Sequence, residues 1–234
     1  MTLNKTFTGL VTLGAAMLVL LGAGQDSKRV GEAYPLSTCP ISGRALGENA
    51  VVVVLTEMPD SSMNGREVRF CCNGCRGRFE NDAKTHAAKL DEMIIKDQLK
   101  VYPVANCIVM TDDELADPRS PEAMEDKNIV IGNRLYRFCC KACIRKFKKD
   151  PKTYTKTLDK IVIEQQSKDY PLDVCVVTGR PFGAQPHEFV VANRLVKTCC
   201  GGCANKVKAN PSDALMQVDK ARASKSTGVT KTSR

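Results

Sequence analysis

Residues 136–154 read Tyr-Arg-Phe-Cys-Cys-Lys-Ala-Cys-Ile-Arg-Lys-Phe-Lys-Lys-Asp-Pro-Lys-Thr-Tyr. An aromatic strand end runs into Cys139-Cys140, and Cys143 follows at helical spacing. Asp150-Pro151 then supplies a cap and a first-turn proline for a second helix. The same arrangement stands elsewhere in the chain, at Cys71-Cys72 with Cys75 and at Cys199-Cys200 with Cys203. A lone cysteine precedes each cluster, just after a Tyr-Pro pair: Tyr34-Pro35 and Cys39, Tyr102-Pro103 and Cys107, Tyr170-Pro171 and Cys175. Three units of four cysteines account for all 12 in the chain, so none is left for a free nucleophile.

This periodicity divides the chain into units at 34–101, 102–169 and 170–220. Within a unit, Val51 to Leu55 and Glu67 to Phe70 have strand character, as does Leu135 to Phe138. Asn/Gly turns at 64–65 and 132–133 lead into the second strands. From Cys75 the chain turns helical, and after Asp82 a second helix runs to about Lys96. Leu90, Met93 and Ile94 form its apolar face, with Leu158, Ile161 and Val162 in the second unit. The fold class expected is small α+β: three tandem units, each a β-hairpin followed by a broken helix. The Tyr-Pro pairs are expected to fix extended segments and pack an aromatic ring on each unit.

The flanks differ in character. Phe7 to Ala23 is apolar or small and follows Lys5, so residues 1–24 read as an export signal, with an uncleaved membrane anchor as the alternative. The expected location is periplasmic or secreted, membrane-anchored if the signal is retained. Residues 221–234 are rich in Ser, Thr, Lys and Arg and read as a disordered basic tail. Asp112 to Asp126 reads as a solvated acidic loop.

Four cysteines per unit admit three chemistries. At a helix start, residues three or four apart share a side, and the helix N-terminus favours thiolate. Cys39, Cys71, Cys72 and Cys75 are thus candidate ligands of one ion. The same holds for Cys107, Cys139, Cys140 and Cys143, and for Cys175, Cys199, Cys200 and Cys203. Zinc favours such a closed set; Cu(I) or another soft metal is the alternative. Units of under 70 residues would draw much of their folding energy from the metal. Two disulfides per unit would use the same twelve residues in an oxidising compartment; thiol–disulfide exchange is the third option. Adjacent cysteines point apart if the backbone between them is extended. One of each pair would then stand off the metal.

The lone cysteines carry a further feature. Cys39-Pro-Ile-Ser-Gly resembles a zinc knuckle, with Ser42 where the second cysteine would be. Cys175-Val-Val-Thr-Gly keeps that frame with Thr178. The second unit has Met110 there and lacks the glycine.

Residues 136–154 with Cys107 resemble the YHS and TRASH group of small cysteine-rich metal-binding modules. Cys139, Cys143, Phe147, Asp150, Pro151 and Tyr154 carry the pattern. Cys39, Cys71, Cys75, Phe79 and Asp82 match it in the first unit, and Cys175, Cys199, Cys203 and Pro211 in the third. The resemblance implies a zinc-ribbon or treble-clef-like hairpin and helix, and a role in heavy-metal sensing, trafficking or resistance. It marks the first cysteine of each pair and the third as the firmest ligands.

Enzymatic function lacks residues. The chain has 2 His and no Trp. His86 aligns with Tyr154 and reads as a packing residue; His187 is a candidate neighbour of the third cluster. The net charge of +9 suits phosphates or anionic surfaces. Export argues against nucleic acid as the partner. The partners expected are metal ions and an envelope protein or anionic surface. The N-terminal segment is expected to engage the export machinery and the membrane.

Overall fold

The computed structural model describes residues 28–229. The expected signal or anchor at 1–24 lies outside them. Three antiparallel hairpins form, each as its own two-stranded sheet: β1 (Val51–Val54) with β2 (Glu67–Phe70), β3 (Lys127–Ile131) with β4 (Arg134–Phe138), and β5 (His187–Val191) with β6 (Arg194–Thr198). Each is followed by a short helix and a long one. These are α1 (Asn73–Asn81) and α2 (Ala83–Leu99), α3 (Lys141–Lys149) and α4 (Pro151–Ser167), and α5 (Gly201–Ala209) and α6 (Ser212–Val229). The short helices begin two residues earlier than expected from Cys75. The chain is thus a small α+β fold of repeated hairpin and broken-helix units.

The second and third hairpins close through Gly132-Asn133 and Ala192-Asn193, all four residues at positive φ. That is the backbone sign of the two-residue turn matching strand twist. In the first unit the turn is replaced by a longer loop containing a single 3-10 turn, Ser61–Met63. The break between helices is capped as expected. Asp82 accepts from the Thr85 N–H at 3.3 Å and Asp150 from the Thr153 N–H at 3.2 Å. Phe79 and Phe147 are buried at the hinge, each edge-on to the aromatic that ends the preceding strand, Phe70 or Phe138, at 5.4 Å. His86 stacks on Phe79 as Tyr154 stacks on Phe147.

The units are not independent beads. The long helix α2 packs on β3 and β4, and α4 packs on β5 and β6. One apolar core therefore spans the second and third units, from Leu99 and Leu135 to Leu195 and Val218. A second core lies in the first unit, around Phe70, Leu90 and Ile94, with Val130 packed against it.

A repeated polar lock ties the hairpin turns together. Arg66 Nε donates to Asn133 Oδ1 at 2.6 Å, and Arg134 Nε donates to Asn193 Oδ1 at 2.9 Å. Gln98, fully buried, donates to the Asn133 carbonyl and accepts from the Leu135 N–H; Gln166 does the same for Asn193 and Leu195. The first unit has Gly65 where an asparagine would close the cycle, and Arg194 reaches back instead to Asp97 at 3.0 Å. Segment 28–33 lies across all three turns. Val30 N donates to the Gly65 carbonyl, Glu32 N to that of Gly132, and the Glu32 carboxylate accepts from Ala192 N. Gly31, at φ +82°, fits here because any Cβ would meet the Gly132 backbone at 2.4 Å.

The C-terminal segment corrects an expectation. Residues 221–229 continue helix α6 rather than forming the start of a disordered tail. Arg222 donates to Gln166 Oε1 at 3.1 Å and Lys225 to the Tyr170 carbonyl at 3.0 Å, so the polar composition is used in tertiary bonds. Residues 230–234 lie outside the description.

Candidate metal centres

Each cluster is assembled by a fixed local geometry. The first cysteine of the pair ends the hairpin. The second is the N-cap of the short helix, and the third lies one turn inside it. The N-cap residues Cys72, Cys140 and Cys200 have extended backbone, with φ of −164°, −153° and −161°. An extended residue turns its side chain away from its neighbour's. The lone cysteine enters from a knuckle-like turn. Cys39 N–H donates to the Arg44 carbonyl and accepts on its own carbonyl from Gly43, and Cys175 repeats this with Arg180 and Gly179.

Three sulfurs converge in each unit: Cys39, Cys71 and Cys75; Cys107, Cys139 and Cys143; Cys175, Cys199 and Cys203. Within each trio the Sγ atoms all lie within 4.8 Å of one another. Cys71 and Cys75 are 3.6 Å apart, Cys139 and Cys143 3.6 Å, and Cys199 and Cys203 3.7 Å. The fourth expected sulfur of each unit is not in the trio. Cys72, Cys140 and Cys200 are exposed on its rim. Cys140 nonetheless touches Cys143 at 3.6 Å, and Cys72 lies 4.0 Å from Cys71. The physical reason is the extended N-cap backbone. All twelve cysteines lie among the described residues, and none is bridged.

The trios are electrostatically prepared for a cation. The lone thiols are all lowered from the ordinary thiol value. Burial opposes this at Cys39, but the Ser42 hydroxyl and the N–H groups of Cys71, Ser42 and Ile41 outweigh it and bring the thiol down to about 6. Cys175 comes to about 6 in the same way, burial being overcome by Thr178 and the N–H groups of Cys199 and Val177. Cys107 is lowered too, by the N–H groups of Cys139, Met110 and Val109 against burial. The third cysteines go the other way. Burial and the facing thiols push Cys75 and Cys203 up to about 12; burial, with Cys140 and Cys107 and against Cys139, pushes Cys143 up to about 11. An ion bound between them would replace those protons.

One neighbour was not singled out by sequence reasoning. The Cys139 thiol donates to Asp113 Oδ2 at 3.0 Å, and this carboxylate is the largest of the causes that raise Cys139. The corresponding thiols in the outer units meet hydroxyls: Cys71 with Ser42 at 3.3 Å and Cys199 with Thr178 at 3.7 Å. Asp113 arrives because the middle knuckle is one residue longer. The closing bridge pairs Asn106 with Glu114, against Thr38 with Ala45 and Val174 with Pro181. The missing knuckle glycine was the visible signal of that change. Most of the acidic stretch stays exposed, but Asp126 pairs with the fully buried Arg137. His187 opens β5 beside Gly201, the first residue of α5.

Among the described residues no helix is long and apolar enough to cross a membrane. Comparison with protein-family models, curated proteins and solved structures found no match to this chain.

Proposed function

We propose that the protein is an exported, non-enzymatic carrier of thiophilic metal ions, holding one ion in each of its three units. The observation that carries this reading is the threefold recurrence of three unbridged sulfurs within 4.8 Å of one another. Their 3.6–3.7 Å contacts fit the edge of a tetrahedron with Zn–S bonds of about 2.3 Å, which is about 3.8 Å. Zinc is the first ion expected. Cu(I) is the second, favoured by the set of three soft thiolates. The likeness to YHS and TRASH modules and to treble-clef-like hairpins supports metal handling, and the apolar run at 7–23 supports export. The positive charge suits an anionic envelope surface.

Handling is preferred to a purely structural role for two reasons. Cys72, Cys140 and Cys200 stand exposed beside their trios, where an incoming ligand can reach the same ion. The second and third units also share a core, the first has its own, and a buried hydrogen-bond network joins them, so folding does not rest on the metal alone. Removing the metal with a chelator under anaerobic, reducing conditions tests this. Far-UV circular dichroism and a cooperative thermal transition are expected to persist in the metal-free chain, which then reloads. Unfolding on metal removal would instead indicate a structural zinc scaffold.

A further inference from the structure

The three clusters share their sulfurs but differ in the oxygen that touches the first cysteine of each pair, a contact that lies beside the trio of sulfurs. Ser42 and Thr178 place neutral hydroxyls against Cys71 and Cys199, while Asp113 places a carboxylate against Cys139. A hydroxyl can donate its proton to a thiolate and so relieve its charge. An ionised carboxylate only accepts. The middle cluster therefore has a carboxylate oxygen 3.0 Å from one of its sulfurs, where the outer clusters have only a hydroxyl. A divalent ion brings twice the charge of Cu(I). An oxygen donor also suits a borderline ion such as Zn²⁺ better than it suits a soft monovalent one.

Asp113 is held for this by its own backbone. Its carbonyl accepts from the Cys107 N–H at 3.0 Å and its N–H donates to the Met110 carbonyl at 3.0 Å. The longer knuckle thus delivers the lone cysteine and the carboxylate from one loop. Met110, at the chain position of Ser42 and Thr178, is 45% exposed.

Building on the metal-handling reading, we infer that the middle unit is the divalent-selective site of the array, with Asp113 supplying the carboxylate that sets it apart from the two outer thiolate sites. The array then sorts ions by charge along one chain.

The test uses the full metal-free chain, titrated anaerobically with Zn²⁺ and separately with Cu(I), each against a chromophoric chelator. Asp113→Asn is expected to weaken one zinc-binding step by about tenfold or more, the scale on which lost metal-site partners act, and to leave the Cu(I) steps unchanged. Asp113→Glu should recover most of the loss. Thr178→Asp, at an exposed position, should strengthen a zinc step in the third unit. Circular dichroism checks that each variant is folded, and the Thr178→Asp gain does not depend on Asp113→Asn folding. Three ions bound with unaltered zinc steps in Asp113→Asn and no gain in Thr178→Asp would overturn the inference and leave the carrier reading standing. A wild-type chain that binds neither ion would overturn the carrier reading, and this inference with it.

Discussion

Cys143→Ser is expected to remove one bound ion per chain, leaving two, under a chelator challenge that the wild-type protein withstands with three. Cys143 is buried and is the sulfur common to the closest contacts of its cluster, 3.6 Å from both Cys139 and Cys140. Serine keeps the size but substitutes a hard, protonated oxygen for a thiolate. Outer-shell losses cost metal sites about 10–100-fold in affinity, and loss of a convergent sulfur should exceed that range. Cys140→Ser is the informative contrast. Cys140 is exposed and outside the trio, so its loss should retain three ions while slowing their transfer to a competing thiol ligand. Metal content by elemental analysis and transfer rates by stopped-flow chelation read the two effects. Equal loss of capacity in both variants would mean that all four sulfurs of a unit bind alike.

Asn133→Ala should be the most damaging substitution at the junction of the first two units. The Asn133 amide accepts from Arg66 Nε and donates to the carbonyl of Glu67 in a buried setting, and donates to that of Glu32 in a partly buried one. Alanine would leave these groups without partners, at about 1–3 kcal/mol for each that water cannot reach. Asn133 also sits at φ 66°, which disfavours alanine by about 1 kcal/mol. The total expected is about 4 kcal/mol, measured by urea denaturation. Asn133→Gly removes the same hydrogen bonds but tolerates the backbone. It should therefore recover about 1 kcal/mol, which separates the two causes. A loss below about 1 kcal/mol for Asn133→Ala, within the range of ordinary surface changes, would mean that the turns are not locked together through this residue.

Much of this architecture is visible in the sequence because the repeat exposes it. The hairpins follow from Val51 to Leu55, Glu67 to Phe70 and Leu135 to Phe138. The broken helix follows from Asp82 and from Asp150-Pro151. Equivalent cysteines locate the clusters. Which sulfur of a pair turns outward depends on the φ and ψ of a single N-cap residue, and composition does not encode that. Asn-Arg-Leu at 133–135 and 193–195 is visible as a repeat. Its role is hidden, because Asn133 and Asn193 accept from the arginine of the preceding unit, Arg66 and Arg134, across 67 and 59 residues of chain. Asp113 is masked by its acidic neighbours; only the missing knuckle glycine betrays the change of loop that brings it in. Residues 221–229 look like a tail because Ser, Thr, Lys and Arg are frequent there and no large apolar residue but Val229 is present. Arg222 and Lys225 nevertheless find partners on the second and third units.

Native mass spectrometry of the full chain, reloaded with Zn²⁺ under anaerobic conditions, bears most directly on whether each cysteine trio holds an ion. The expected spectrum shows three added zinc masses. Acid release of the metal should then leave twelve alkylatable thiols. A chain carrying no zinc, with its mass lowered by the hydrogens lost to disulfides, would contradict the metal-centre reading outright.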